Sequence, residues 1–226
     1  MSWSGGKDSA LALYRCINDH NHNIVGLVTT INSSTNRVSM HGVALDVLKY
    51  QADAIGIPLH VITLPEKCSM DEYESIMGAF MSRMKQDGVE GVVFGDIFLE
   101  DIRKYRERQL EGIGITPIFP LWGLASAEVA SQFLDNHFKS IITCVDSDLL
   151  DESFVGQFYT SAYIEKLPGG VDPCGENGEF HSFVTAGPIF QKPIEVKVIS
   201  KIRKEYPNPQ GGNPKTFWFA DIAASK

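Results

Sequence analysis

The sequence is poor in sulfur chemistry. Its four cysteines, Cys16, Cys68, Cys144 and Cys174, form no C-x-x-C pair, so neither a zinc ribbon nor a thioredoxin-like motif is present; reduced thiols are the expectation. No apolar run approaches the roughly 20 residues needed to span a bilayer. No signal-peptide pattern stands at the start, which opens directly into glycines. The expected location is therefore cytoplasmic, with no membrane partner. Basic residues are in deficit: 20 Lys and Arg face 28 Asp and Glu, a formal charge of −8. That balance argues against a nucleic-acid-coating surface, although not against a local basic patch. Internal repeats and long low-complexity tracts are also missing. So are the Walker A spacing and the dinucleotide G-x-G-x-x-G.

What the sequence does have begins at its first residues. Ser4-Gly5-Gly6-Lys7-Asp8-Ser9 stands between a very short strand and a helix whose Ala10, Leu13, Tyr14 and Ile17 share one face. Paired glycines let the backbone approach a ligand closely. A helix N-terminus offers unpaired N–H groups and partial positive charge to a phosphate, and Lys7 adds a point charge. A carboxylate beside phosphates, Asp8, makes sense with a divalent metal between them. The plain alternative is a Gly-Gly turn before a capped helix.

Further along, strand and helix patterns alternate. Ile24–Ile31, Leu59–Leu64 and Gly91–Ile97 read as interior strands. Ile115–Pro120 is a Pro-bounded edge strand. Between them fall a helix with Ala44, Val47, Leu48 and Ile55 inward, a helix opened by a Ser69–Glu72 capping box, and an arginine-rich helix with Arg103, Arg106 and Arg108. The Tyr73, Ile76, Met77, Phe80, Met81 and Met84 stripe is read as core packing. Ser126–Phe138 is one more helix. Such repeats predict an α/β fold: a Rossmann-like parallel sheet with helices on both faces. Ligands then bind at the carboxyl ends of the strands, where both the glycine loop and Gly95-Asp96 fall. Beyond about residue 140 the style changes. A strand at Ile141–Val145, a helical stretch with Leu149, Leu150, Phe154 and Phe158, and strands at Ile194–Ile199 and Thr216–Ile222 describe a smaller C-terminal α+β subdomain. The expected division is 1–135 and 136–226.

The second dense stretch is Asp172-Pro173-Cys174-Gly175-Glu176-Asn177-Gly178-Glu179-Phe180-His181. Its carboxylates Asp172, Glu176 and Glu179 can bind a metal, hold an amine or act as a base. Asn177 can donate to a carbonyl, and His181 can shuttle a proton near neutral pH. Cys174 is either a nucleophile or, the favoured reading, a small buried inert thiol. Arg103 and Arg106 can grip a phosphate or an anionic acceptor, or simply solvate a helix face. His41 can face a nucleotide or cap a helix.

The glycine loop looks like the Ser-Gly-Gly-x-Asp-Ser loop of the PP-loop ATP pyrophosphatases. Together with Met40-His41, Phe94-Gly95-Asp96-Ile97, Lys104–Arg108, Pro120-Leu121-Trp122 and Asp172–His181, in that order, the sequence resembles the diphthine–ammonia ligase family, in its short prokaryotic form. The resemblance implies ATP-dependent amidation: a carboxylate attacks ATP, pyrophosphate leaves, and ammonia displaces AMP. It implies ATP and Mg²⁺, with Ser4, Gly5, Gly6, Lys7, Asp8, Ser9, His41, Gly95, Asp96, Arg103 and Arg106 around the nucleotide and Asp8 on the metal. It makes Asp8, Glu176, Asn177, Glu179 and His181 the catalytic candidates. The implied partners are ammonia and a carboxylate acceptor, in the family's best-known role a protein-bound diphthine; a homodimer is one open possibility. Two rivals stand beside it. A PP-loop thiolase of transfer RNA would want paired catalytic cysteines and a basic RNA face, neither of which is visible. A non-catalytic ATP-binding sensor would have no need of the Asp172–His181 stretch.

Overall fold

A computed structural model describes residues 1–38, 42–206 and 213–225; His41 and Met40 lie outside them. The elements run α1 (Lys7–Asn18), β1 (Leu27–Asn32), β2 (Arg37–Val38), α2 (Leu45–Ile55), β3 (Leu59–Leu64), α3 (Met70–Gln86), β4 (Gly91–Val93), α4 (Glu100–Glu111), β5 (Thr116–Ile118), α5 (Ser126–Asp135), β6 (Lys139–Asp146), α6 (Ser161–Ile164), β7 (Phe180–Ala186), β8 (Glu195–Tyr206) and β9 (Lys215–Ser225).

β1 pairs in parallel with β3, and β4 with β5. Met1–Trp3 joins the two pairs. Trp3 N–H donates to the Val28 carbonyl at 2.7 Å, Val28 N–H to Met1 at 2.8 Å, and Ser2 N–H to Val93 at 2.9 Å. The parallel sheet therefore reads β3, β1, Met1–Trp3, β4, β5. Three residues suffice as a central strand because both of their backbone edges are paired.

Period-two alternation sends side chains to opposite faces. Val28, Ile62, Leu64, Val92 and Phe94 form one core with Met81 of α3 and Leu110 of α4. Leu27, Ile31, Val93 and Trp3 belong to the other, with Leu11 and Leu13 of α1, Val47 and Leu48 of α2, and Val129 and Phe133 of α5. Helices thus cover both faces, and the fold is the α/β type expected from the strand and helix patterns. The α3 stripe is core: Tyr73, Ile76, Met77 and Phe80 pack beside buried Met81. Ser69 and Glu72 close the capping box in both directions.

The C-terminal sheet has the order β7, β6, β9, β8 and is antiparallel throughout. α1 packs against β7 and α5, and α2 against β9. The two sheets share one core around Trp3, Phe180 and Phe183, each 2 % exposed or less. Burial of each such ring stabilises by about 2 kcal/mol or more.

Several local expectations need correction. The stretch with Leu149, Leu150, Phe154 and Phe158 is a series of turns, not a helix. Asp146 Oδ1 accepts from Asp148 N–H and Asp151 Oδ1 from Ser153 N–H, and such local bonds compete with helical ones. Gly156 then turns at φ +80°. The strand at Gly91 stops at Val93, although Phe94 N–H still reaches Ile118. The first long strand starts at Leu27 rather than Ile24. α5 ends at Asp135, before His137 at φ +59°. β2, α6 and β7 are elements beyond the sequence expectation, and β8 and β9 run longer than the strands expected there.

Candidate active site

The glycine loop stands at the carboxyl edge of the parallel sheet, between Met1–Trp3 and α1. Gly5 has φ +79°, and a Cβ there would lie 2.7 Å from Leu48 Cδ1; only glycine fits. Gly6 is the extended N-cap of α1. Ser4 Oγ accepts from Gly6 N–H at 3.2 Å and lies 3.2 Å from Ser9 Oγ. Ser9 Oγ donates to the Gly6 carbonyl at 2.9 Å. Gly95 is pressed against this turn from the end of β4: a Cβ on it would stand 2.9 Å from the Asp8 carbonyl carbon and from Ser9 N.

Gln51, wholly buried on α2, holds the loop from behind. Its amide donates to the carbonyls of Gly5 at 3.0 Å and Val184 at 2.7 Å, and its Oε1 accepts from the Trp3 indole at 2.9 Å. No motif contains it. The available signal was a polar residue inside the apolar stripe Val47, Leu48, Ala52, Ile55 of α2.

Lys7 is 4 % exposed. Its ammonium donates to Asp8 Oδ2 at 2.8 Å and to the Cys174 carbonyl, and lies over the Phe180 and Tyr159 rings at 5.4 and 5.9 Å. Its backbone N–H donates to Ser182 Oγ at 3.2 Å. Burial works against the charge, but Asp8 leads the neighbours that outweigh it, and the Lys7 pKa stands above its ordinary value. Burial raises the Asp8 pKa against the opposing pull of Lys7. Asp8 Oδ1 is enclosed and has no partner among the described residues. An orphaned carboxylate oxygen beside a phosphate-type loop fits a cation ligand. Among the described residues no three His, Cys, Asp or Glu cluster as a protein cage. Mg²⁺ does not need one, since it commonly takes one or two carboxylates with phosphate and water oxygens.

The acidic loop is largely self-bracing. Asp172 Oδ1 accepts from Cys174 and Glu176 N–H at 2.8 and 3.2 Å. Glu179, 4 % exposed, accepts from Asp172 N–H, Asn177 N–H and Asn177 Nδ2 at 2.9–3.0 Å. Tyr159 donates to the Pro173 carbonyl at 2.7 Å. Of the three carboxylates, Glu176 reaches out of the loop: its Oε1 accepts from Ile97 N–H, beside Gly95-Asp96, at 2.8 Å. Burial drives its carboxyl up to about 7, with the Ile97 bond opposing and Asp8 adding to the rise. Cys174 donates to the Ser126 carbonyl at 3.2 Å, and burial pushes its thiol up to about 12. A thiol at that value is an inert structural group near neutral pH. His181 sits half-buried on β7, opposite Cys144.

Asp96 takes a bidentate pair from Arg106, at 2.6 and 3.1 Å, whose guanidinium also lies 4.4 Å over Phe94. Arg103 stacks over Trp122 at 4.7 Å and bonds Glu107 at 2.8 Å. Both arginines are bonded to a carboxylate and stacked on a ring, Arg106 beside the edge where the loop stands and Arg103 one turn away. A cavity of about 140 Å³ opens there, with Ser4, Thr29, Thr30, Phe94, Tyr73 and Arg106 in its wall. A separate cavity of about 580 Å³ lies at the opposite, amino ends of the strands, among Gly26, His60, Glu90 and Thr116, away from where open α/β sheets bind ligands.

The structure therefore brings the glycine loop, Gly95-Asp96 and the acidic loop to one edge. Residues 1–117 match the diphthamide synthase N-terminal domain and residues 126–212 the diphthamide synthase C-terminal domain. The chain belongs to the diphthamide synthase family. It is similar to the diphthine–ammonia ligase of Rattus norvegicus, 28% identical over 219 residues that cover 85% of this chain and 80% of that protein. That of Homo sapiens is 27% identical with the same coverage. That of Danio rerio is 28% identical over 222 residues, covering 84% and 83%. No helix among the described residues is long and apolar enough to cross a membrane.

Proposed function

We propose that this member of the diphthamide synthase family is an ATP-dependent carbon–nitrogen ligase that forms AMP and pyrophosphate. A carboxylate oxygen of the acceptor attacks the α-phosphorus and pyrophosphate leaves. Ammonia then attacks the acyl carbon, loses a proton, and AMP departs from the new carboxamide. The names of the relatives point to diphthine as the acceptor and ammonia as the nucleophile.

The observation that supports this reading best is the interlock of the two loops. Lys7 bonds the Cys174 carbonyl and Glu176 bonds Ile97 N–H. The two loops are thereby held at one edge, where their backbone and carboxylate would act on one bound nucleotide, as positioning catalysis requires. The backbone of Gly5 and Gly6, the Ser4 and Ser9 hydroxyls and the N-terminus of α1 would receive the phosphates. Asp8 would hold Mg²⁺, which when bound would offset phosphate charge. Arg106 would steady the edge by fixing Asp96. Glu176, with a pKa about 7, is suited to take the proton from the attacking ammonia. Asp172 and Glu179 would shape the loop that presents Glu176, and Asn177 and His181 would line the acceptor side. The nucleotide half would be 1–135 and the acceptor half 136–226.

The test is incubation with ATP, Mg²⁺, ammonium and a diphthine-bearing peptide whose carboxylate carries ¹⁸O. One label in AMP, with pyrophosphate and the carboxamide, is expected. ADP and phosphate as products, or unlabelled AMP, would overturn the assignment. Asp8→Ala should remove turnover while the far-ultraviolet circular dichroism is unchanged.

A further inference from the structure

A third cavity, a cleft of about 410 Å³, lies between the β1–β2 hairpin and the β8–β9 hairpin, and no step above uses it. Arg37 bridges its two sides: Nη1 donates to the Gly42 carbonyl at 2.7 Å and Nη2 to Asp221 Oδ1 of β9 at 2.8 Å. That pair neutralises itself. Lys204 does not. It is half-buried, its ammonium lies 5.6 Å over the Phe219 ring, and among the described residues no carboxylate pairs with it. The cleft is thus net cationic in a chain of charge −8.

Tyr206 and Phe219 line it, with Phe217 against both. Tyr206, Phe217 and Phe219 form a cluster with centroids 6.0, 6.2 and 6.4 Å apart. Gly42 lies against Phe219 so tightly that a Cβ would stand 2.5 Å from the ring, while Tyr206 is 43 % exposed. Phe219 is packed, and Tyr206 is partly open to solvent. A half-buried cation beside a partly exposed aromatic ring suits a flat group bearing an anion. Val38 lines both this cleft and the cavity beside Ser4 and Arg106.

We infer that this cleft is a subsite for a ring-bearing anionic group of the acceptor, with Lys204 taking the anion and Tyr206 stacking on the ring. Its role as an acceptor subsite rests on the ligase reading; the binding itself does not. Lys204 and Tyr206 are specificity-determining here, not catalytic.

Phenylacetate serves as the probe, titrated into the full ¹⁵N-labelled chain, with acetate and phenethylamine as controls. Phenylacetate should shift amides of β8, β9 and Arg37, and acetate and phenethylamine should bind at least about fivefold more weakly. Lys204→Met and Tyr206→Ala should each weaken phenylacetate at least about fivefold and leave the Kd of a non-hydrolysable ATP analogue unchanged. The inference is overturned by no binding to the native chain, by equal binding of phenethylamine, by shifts confined elsewhere, or by unaltered affinity in Lys204→Met. Loss of ATP-analogue binding by the native chain would instead strike the ligase reading and leave the cleft result standing.

Discussion

Replacing Gln51 by Leu tests how the glycine loop is held. The side chain keeps its approximate volume, so no large cavity opens. What is lost is polar. The Trp3 indole N–H, on a residue 2 % exposed, loses its acceptor, and the carbonyls of Gly5 and Val184 each lose a donor. Gly5 keeps the bond from Val184 N–H at 2.9 Å, so its loss is partial. One fully orphaned donor costs about 1–3 kcal/mol, and the weakened acceptors add to it. The expected destabilisation is about 2–4 kcal/mol. For a chain of this length each kcal/mol lowers Tm by roughly 2–4 °C. Urea unfolding should show a lower midpoint at unchanged slope. Trp3→Phe removes the orphan itself, so the double variant should be less unstable than the sum by about 1 kcal/mol or more. A Gln51→Leu protein within about 0.5 kcal/mol of the parent, or strict additivity with Trp3→Phe, would refute the idea that this amide braces the loop.

The carboxyl of Glu176 is raised from 4.5 to about 7 in the folded chain. The folded state therefore holds a proton that the unfolded state has released, and stability falls between about pH 4.5 and 7, levelling above. Glu176→Gln should flatten that slope in pH-dependent urea melts and remove a limb near pH 7 from kcat/KM; a slope that persists unaltered counts against the assignment. Gly95→Ala places a Cβ 2.9 Å from backbone atoms of Asp8 and Ser9, and should cost about 1–3 kcal/mol and weaken the ATP analogue in calorimetry, whereas native-like affinity would show that the close approach is dispensable. Lys7→Met should free the Asp172–Glu179 segment, seen as faster amide exchange there and a fall in kcat larger than the change in ATP affinity. Protection equal to the parent's would exclude Lys7 as the tie.

Much of this was written plainly in the chain. The Gly5-Gly6 pair announced the loop, Gly5 because its φ of +79° is one that only glycine adopts freely, and Ser69 announced α3 through its capping box. β3 was legible over its whole span because Pro58 and Pro65 punctuate it. The central placement of Met1–Trp3 was not, since three residues carry no periodicity and their pairing comes from partners more than twenty residues away. Asp172 and Glu179 looked as chemical as Glu176. Only coordinates reveal that the first two turn inward to backbone N–H groups while the third crosses to Ile97. Lys7 reads as a phosphate contact in sequence, and its bond to the Cys174 carbonyl has no local signature. Leu149–Phe158 misled because its apolar spacing imitates a helix where Asp146 and Asp151 favour turns.

The bonds that assemble the edge join residues far apart along the polypeptide: 175 positions between Lys7 and Ser182, 167 between Lys7 and Cys174, 79 between Glu176 and Ile97. Closing such distances is slow relative to local helix growth. During refolding, helical ellipticity should return well before the ability to split ATP, so that catalytic competence reports the last stage of folding and a chain cut between its halves would have neither loop in place.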